Sequence, residues 1–193
     1  NYGEIEGYSG IAGKIYGQED VRVVISNCGN NGNVKSRGSS IGGILKWSSS
    51  NHNTGLISNC YNTGNIESAV DYAGGIAGNT GFKILECYNT GNVLAKGSSS
   101  GGIVGNHNNQ TVDKCYNTGN IMSKGNYTGG IIGYLMNSSI TNCYNEGDVT
   151  SGNIVAGGIT GYTSSGSISN CYNIGNVQAV ILNSPYGVGG ILG

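Results

Sequence analysis

Apolar residues recur along this chain in short runs, and their positions repeat. Ile25, Ile57, Ile84, Val112, Ile140 and Ile168 each stand three residues before a cysteine. Val34, Ile66, Val93, Ile121, Val149 and Val177 each stand six residues after one. A third set, Ile11, Ile44, Ile76, Ile103, Ile131, Ile159 and Ile191, sits in glycine boxes such as Gly74-Gly75-Ile76-Ala77-Gly78. β-Branched residues in short runs, separated by Asn-Gly turn signals, read as strands. Glycine interrupts every window in which apolar spacing of three and four residues would build a helical face.

The cysteines fall at 28, 60, 87, 115, 143 and 171, at spacings of 32, 27, 28, 28 and 28. A period sustained over the whole chain predicts a stack of like units. The expected architecture is all-β: a parallel β-solenoid of about seven coils, roughly 28 residues and three short strands per coil, with like strands stacked in register. The array covers 1–193 as one domain, a piece of a longer protein, with coils beginning near 1, 25, 57, 84, 112, 140 and 168. One coil buries too little apolar surface to offset the ordering of its backbone, so stability is expected only from the stack. Glycine in Asn-Thr-Gly-Asn (62–65, 89–92, 117–120) is expected at a left-handed corner. The paired glycines either turn another corner or admit a wall too close for a Cβ.

Composition narrows the function classes. The 193 residues include 37 Gly, one Pro (Pro185) and 10% charged residues, with a net charge of −1. Glycine without a G-X-Y period excludes collagen, and fixed Ile/Val positions with little charge argue against disorder. Scattered cations form no basic stripe, so no nucleic-acid partner is expected. No apolar run is long enough for a membrane-spanning helix, and no membrane insertion is expected.

The box Gly-Gly-Ile-x-Gly following Cys-Tyr-Asn-x-Gly-[Asn/Asp]-[Val/Ile] resembles the GLUG repeat. The resemblance extends over essentially all of the chain. It implies a large surface protein of Gram-positive bacteria, a group that includes the non-catalytic region of IgA-specific metallopeptidases, and so an extracellular or cell-wall-attached location. The zinc motif H-E-x-x-H of those peptidases is absent: the two histidines, His52 and His107, are far apart and neither begins it.

Three files of residues and one irregular corner are the candidate sites. Cys28, Cys60, Cys87, Cys115, Cys143 and Cys171 are expected as a row of buried free thiols. Single cysteines in file lack the paired spacing that zinc requires, and in-register Cβ atoms sit too far apart for easy disulfides. Asn30, Asn62, Asn89, Asn117, Asn145 and Asn173 are expected as a stacked amide ladder. Tyr61, Tyr88, Tyr116, Tyr144 and Tyr172 follow the cysteines and, by alternation, form an exposed aromatic file able to stack on itself or on sugar rings. The stretches Gly13–Cys28 and Lys46–Cys60 are longer than their counterparts and carry Tyr16, Gln18, Glu19, Asp20, Trp47 and His52. Enlarged corners of repeat arrays often form the binding face. No Ser-His-Asp order, phosphate loop or paired carboxylates on one face appear, and no cofactor, metal or catalytic residue is expected.

The expected function is a non-catalytic extracellular spacer or adhesin stalk, with a glycan or host surface protein as partner. A substrate-recognition region of a secreted peptidase or polysaccharide-degrading enzyme is the first alternative. A filament subunit associating end to end through exposed coil edges is the second.

Overall fold

The computed structural model describes residues 3, 5–7, 9–16, 22–49, 55–180 and 187–193. Among these the chain forms a parallel β-solenoid with no helix. One coil runs Tyr116–Asn117, Ile121–Ser123, Thr128–Gly129, Ile132–Met136 and Ser138–Thr141 before Tyr144–Asn145 begins the next. These strands belong to five sheets, here called E, A, B, C and D in chain order. Sheet A has seven strands, from Ile5–Glu6 to Val177–Ala179, and the other four have six each. All pairings are parallel and match equivalent positions of successive repeats, inward-facing ones mostly with like residues, for example Asn89 with Asn117 and Val93 with Ile121.

The structure thus has about six coils with five strands each, where the sequence predicts seven coils with three. The two added strand types are only two residues long, and one of them carries glycine in every coil. Sheet B strands such as Thr128–Gly129 each end on glycine, and sheet E strands are Tyr-Asn pairs except for Gly29–Asn30 in the first coil. Backbone bonds to the coils on either side, such as Gly102 N–H to the Gly130 carbonyl, hold these segments straight where side-chain pattern would not.

The apolar interior is divided. The larger cluster joins the glycine-box isoleucines (Ile44, Ile76, Ile103, Ile131, Ile159) to Ile57, Ile84, Val112 and Ile140 and to four of the cysteines. A second cluster between sheets A and B holds Val34, Ile66, Val93, Ile121, Ile41 and Ala73. The asparagine row fills the seam: a Cβ on Gly75, Gly102 or Gly130 would collide with Asn89, Asn117 or Asn145 and with the carbonyl of the next coil's glycine. The second glycine of each pair from Gly43 to Gly158 is therefore a close-approach position, as one of the two sequence readings has it, while Gly190 at the end of the array has open space.

The Asn-Thr-Gly-Asn glycines correct another expectation. Gly64, Gly91 and Gly119 are not left-handed; a Cβ there would strike the carbonyl of the corresponding glycine one coil earlier. Left-handed corners are instead held by the residue before each cysteine (Asn27, Asn59, Glu86, Lys114, Asn142, Asn170; φ 50–54°) and by Ser40, Tyr72, Ser99 and Tyr127 (φ 59–61°). Neighbouring strands pull these residues into αL despite the cost to a side chain.

Candidate functional site

The two-residue strand of sheet E sorts its side chains to opposite sides. Each asparagine faces in: Asn62, Asn89, Asn117 and Asn145 are fully buried. Every amide Nδ2 donates twice, once to the glycine carbonyl two residues on and once to the Oδ1 of the next coil's asparagine, in each case at 2.7 Å from Asn30 to Asn145. The last member, Asn173, donates to the Gly175 carbonyl at 2.8 Å. Amides in this file meet their hydrogen-bonding needs without water.

The tyrosines face out. Tyr61, Tyr88, Tyr116, Tyr144 and Tyr172 form one stack with ring centroids 5.0–5.4 Å apart and interplanar angles of 2–10°. The first four are half-buried, and Tyr172 is 50% exposed. At the first coil Gly29 takes the tyrosine position, and the Tyr61 ring lies where a side chain on Gly29 would be. Partial burial and the neighbouring phenols raise the pKa of Tyr116 and Tyr144.

The thiols form a file on the inner wall. Cys60, Cys87, Cys115 and Cys143 are buried, Cys28 and Cys171 at the two ends are partly exposed, and all six are free. The backbone N–H groups of Cys60, Cys87 and Cys115 each donate to the sulfur of the next coil's cysteine at 3.4 Å. Each thiol from Cys60 to Cys171 donates to the carbonyl two residues before it, at 3.1–3.3 Å. Burial, with hydrogen bonding along the file, pushes the Cys115 thiol well above its ordinary pKa, so it packs as a small hydrophobe. Among the described residues no group of three or more His, Cys, Asp or Glu side chains is placed to hold a metal.

At the enlarged corner, Tyr16 and Trp47 meet with centroids 5.4 Å apart. With Lys14, Lys46, Ser39 and Ser40 they line a cleft of about 270 Å³. Partial burial and the charge of Lys14 lower the pKa of Lys46. Gln18, Glu19, Asp20 and His52, assigned to the same corner from sequence, lie outside the described residues.

Sequence reasoning missed two groups. His107 is fully buried: its Nε2–H donates to the Phe82 carbonyl at 2.9 Å, and Nδ1 lies 3.2 Å from the Ser138 hydroxyl. Burial lowers its pKa to about 4. The second group is a tyrosine cluster, Tyr127, Tyr134 and Tyr162, with centroids 5.1–5.6 Å apart. Its signal was available, since Tyr134 and Tyr162 each follow the last glycine of a glycine box, the place Asn79 and Asn106 take in other coils.

Fold and files together define a repeat protein whose like residues are stacked on a parallel β-solenoid. Residues 124–150 match the model of the GLUG motif, in agreement with the resemblance drawn from the sequence. The matched stretch holds the box Gly129-Gly130-Ile131-Ile132-Gly133 and the segment Cys143–Val149. A crystal structure of a putative immunoglobulin A1 protease from Bacteroides ovatus has a similar fold, with a TM-score of 0.54 and 21% identity over 95% of this chain. This chain spans 65% of the length of that one. No curated protein matches the chain.

Proposed function

We propose that this array is a stiff repeat region of a secreted or surface-attached protein, which sets a distance and presents an adhesive flank. The observation that carries the reading is the unbroken register. Five ladders place equivalent positions of successive repeats over one another along the axis, so each added coil extends the structure by about 4.8 Å without a hinge. The half-buried tyrosine stack and the Trp47 corner supply the flank, and a glycan or host surface protein is the partner their chemistry suits.

Small-angle scattering from the chain and from a tandem duplication tests the spacer. The duplication is expected to double the length at constant cross-section. Scattering from two flexibly linked bodies would defeat the reading. A glycan array probed with the protein and with Trp47→Ala tests the adhesive part, which fails if neither protein binds.

The likeness to the putative immunoglobulin A1 protease of Bacteroides ovatus favours a second reading, a recognition region of a secreted peptidase. Such a region would hold substrate on the same flank while catalysis lay elsewhere. End-to-end association is a third. Exposed apolar residues gather at the two ends, Ile11 and Val24 at one and Ile174, Val180 and Leu192 at the other. Sedimentation that stays monomeric across concentrations would remove it.

A further inference from the structure

The sulfurs of the inner wall keep one arrangement from coil to coil. Each of the six thiols donates to the carbonyl two residues before it, at 3.1–3.3 Å. For Cys60, Cys87, Cys143 and Cys171 a carbonyl of the coil before lies at 3.7–3.8 Å. Each cysteine directly precedes an in-register position of sheet E, as in the pairing of Tyr144 with Tyr172. Equal partners mean an equal side-chain rotamer, so the sulfurs repeat at the coil spacing of about 4.8 Å.

That spacing selects among the reactions open to two thiols. A disulfide needs Cβ atoms about 3.5–4.5 Å apart, nearer than in-register strands leave them. Zinc needs four donors in a tetrahedron, and each gap in the file offers two. A soft cation that takes two thiolates in a straight line fits without movement of the wall. With metal–sulfur bonds of about 2.3–2.4 Å, its two sulfurs stand about 4.7 Å apart. The missing paired spacing, which argues against zinc, does not bear on ions of this habit.

Position decides which gaps are open. The sulfurs of Cys87, Cys115 and Cys143 each accept a backbone N–H of the coil before at 3.4 Å. Among the described residues those of Cys28, Cys60 and Cys171 accept none. Cys28 and Cys171 are also the two partly exposed cysteines. The gaps Cys28–Cys60 and Cys143–Cys171 thus combine an uncommitted sulfur with access to solvent, a combination the interior gaps lack.

We propose that the cysteine file binds soft two-coordinate cations of the copper(I) and silver(I) type, one in the gap Cys28–Cys60 and one in the gap Cys143–Cys171. Each ion forms two metal–sulfur bonds, and both S–H protons leave to solvent. The product is a linear dithiolate with one negative charge. Beside water that charge is tolerated, but it is costly in the dry middle of the file, where the thiols keep their protons. The site is independent of the spacer and of the adhesive flank.

Native mass spectrometry of the reduced full chain tests this, with oxygen-free titration by silver nitrate and by a copper(I)–bathocuproine complex. Two ions per folded chain are expected to be retained, each releasing two protons. X-ray absorption should show two sulfur neighbours per ion at about 2.2–2.4 Å. Zinc sulfate at the same concentration should leave no retained ion. Cys28→Ala and Cys171→Ala should each remove one ion, with affinity at that gap falling about a hundredfold or more. Cys115→Ala should keep both. Should an alanine variant fail to fold, blocking Cys28 and Cys171 of the folded parent with a thiol reagent should abolish retention of both ions. No retained ion, three or more sulfur neighbours, or two ions still held after Cys28 and Cys171 are replaced or blocked would overturn the proposal. So would loss of the strand signal in circular dichroism on loading, because the fit requires the wall to stay in place.

Discussion

Tyr116 and Asn117 are adjacent on one two-residue strand, repeat at the same period and stack on like neighbours, yet the two rows differ in kind. From Asn30 to Asn145 the asparagine row is dry, and each amide is bonded to the coil beyond it; the tyrosine row is half in water and held by ring contact. Gly29 interrupts the tyrosines, whereas Asn30 stays in the amide row at the same coil. The inner row sets register, because a slipped coil would strand buried amides. The outer row adds surface and modest stability.

The largest effect is expected where the inner row loses its room. Gly102→Ala would drive a methyl into Asn117 and the Gly130 carbonyl, costing about 4 kcal/mol or more. A denaturation midpoint close to the parent's would contradict the seam. Asn117→Ala keeps the room but leaves the Asn89 amide, the Asn145 Oδ1 and the Gly119 carbonyl short of partners, for about 3–4 kcal/mol. Hydrogen exchange should show that loss concentrated in the adjoining coils.

His107 sharpens the contrast, as a buried polar group with no repeated partner. It stays neutral in the folded chain down to its pKa of about 4, whereas a histidine in the unfolded chain takes up a proton near 6.5. The unfolded state therefore binds more protons between these values. Stability present above pH 6.5 is lost as pH falls towards 4, by about 3 kcal/mol in total. His107→Gln should flatten the stability profile in that window; a profile parallel to the parent's would refute the assignment. Next in size, Tyr116→Ala should cost only about 1–2 kcal/mol, well below its neighbour. Equal losses at 116 and 117 would erase the distinction between the rows. The smallest readout is kinetic: Cys28 and Cys171 should react with a thiol reagent before the four buried cysteines, which become reactive only on unfolding.

Much of this was legible in the sequence because identical residues at fixed offsets report stacking directly. Ile84, Cys87, Asn89 and Val93 announce their places by recurring. The strand count was not legible, since Thr128–Gly129 and Tyr116–Asn117 are too short for alternation to show and are straightened by neighbouring coils. Sequence rules put left-handed corners on glycine, yet they fall on asparagines such as Asn59 and Asn142, which also tolerate them, and on Glu86, Lys114 and Tyr127, which do not. There the demand comes from the ladder above and below, which no local sequence rule registers. Of the candidate site, the tyrosine file and the Trp47 corner were readable as positions. That Trp47 and Tyr134 share a register row appears only once Asn79 and Asn106 are seen as its intermediate members.

Every amide in the inner row donates towards higher residue numbers, so the small dipoles of the file all point one way. Such a file is indifferent to how many members it has but intolerant of a fractional one. Copying or excising whole periods in the coding sequence would therefore yield chains that still fold, longer or shorter by integral steps. A frame-preserving change of a few codons between cysteine and asparagine would not, whereas the stretch from Gly13 to Cys28 already absorbs extra residues. Length in this protein is inherited as a digital quantity, open to adjustment by recombination between its own repeats.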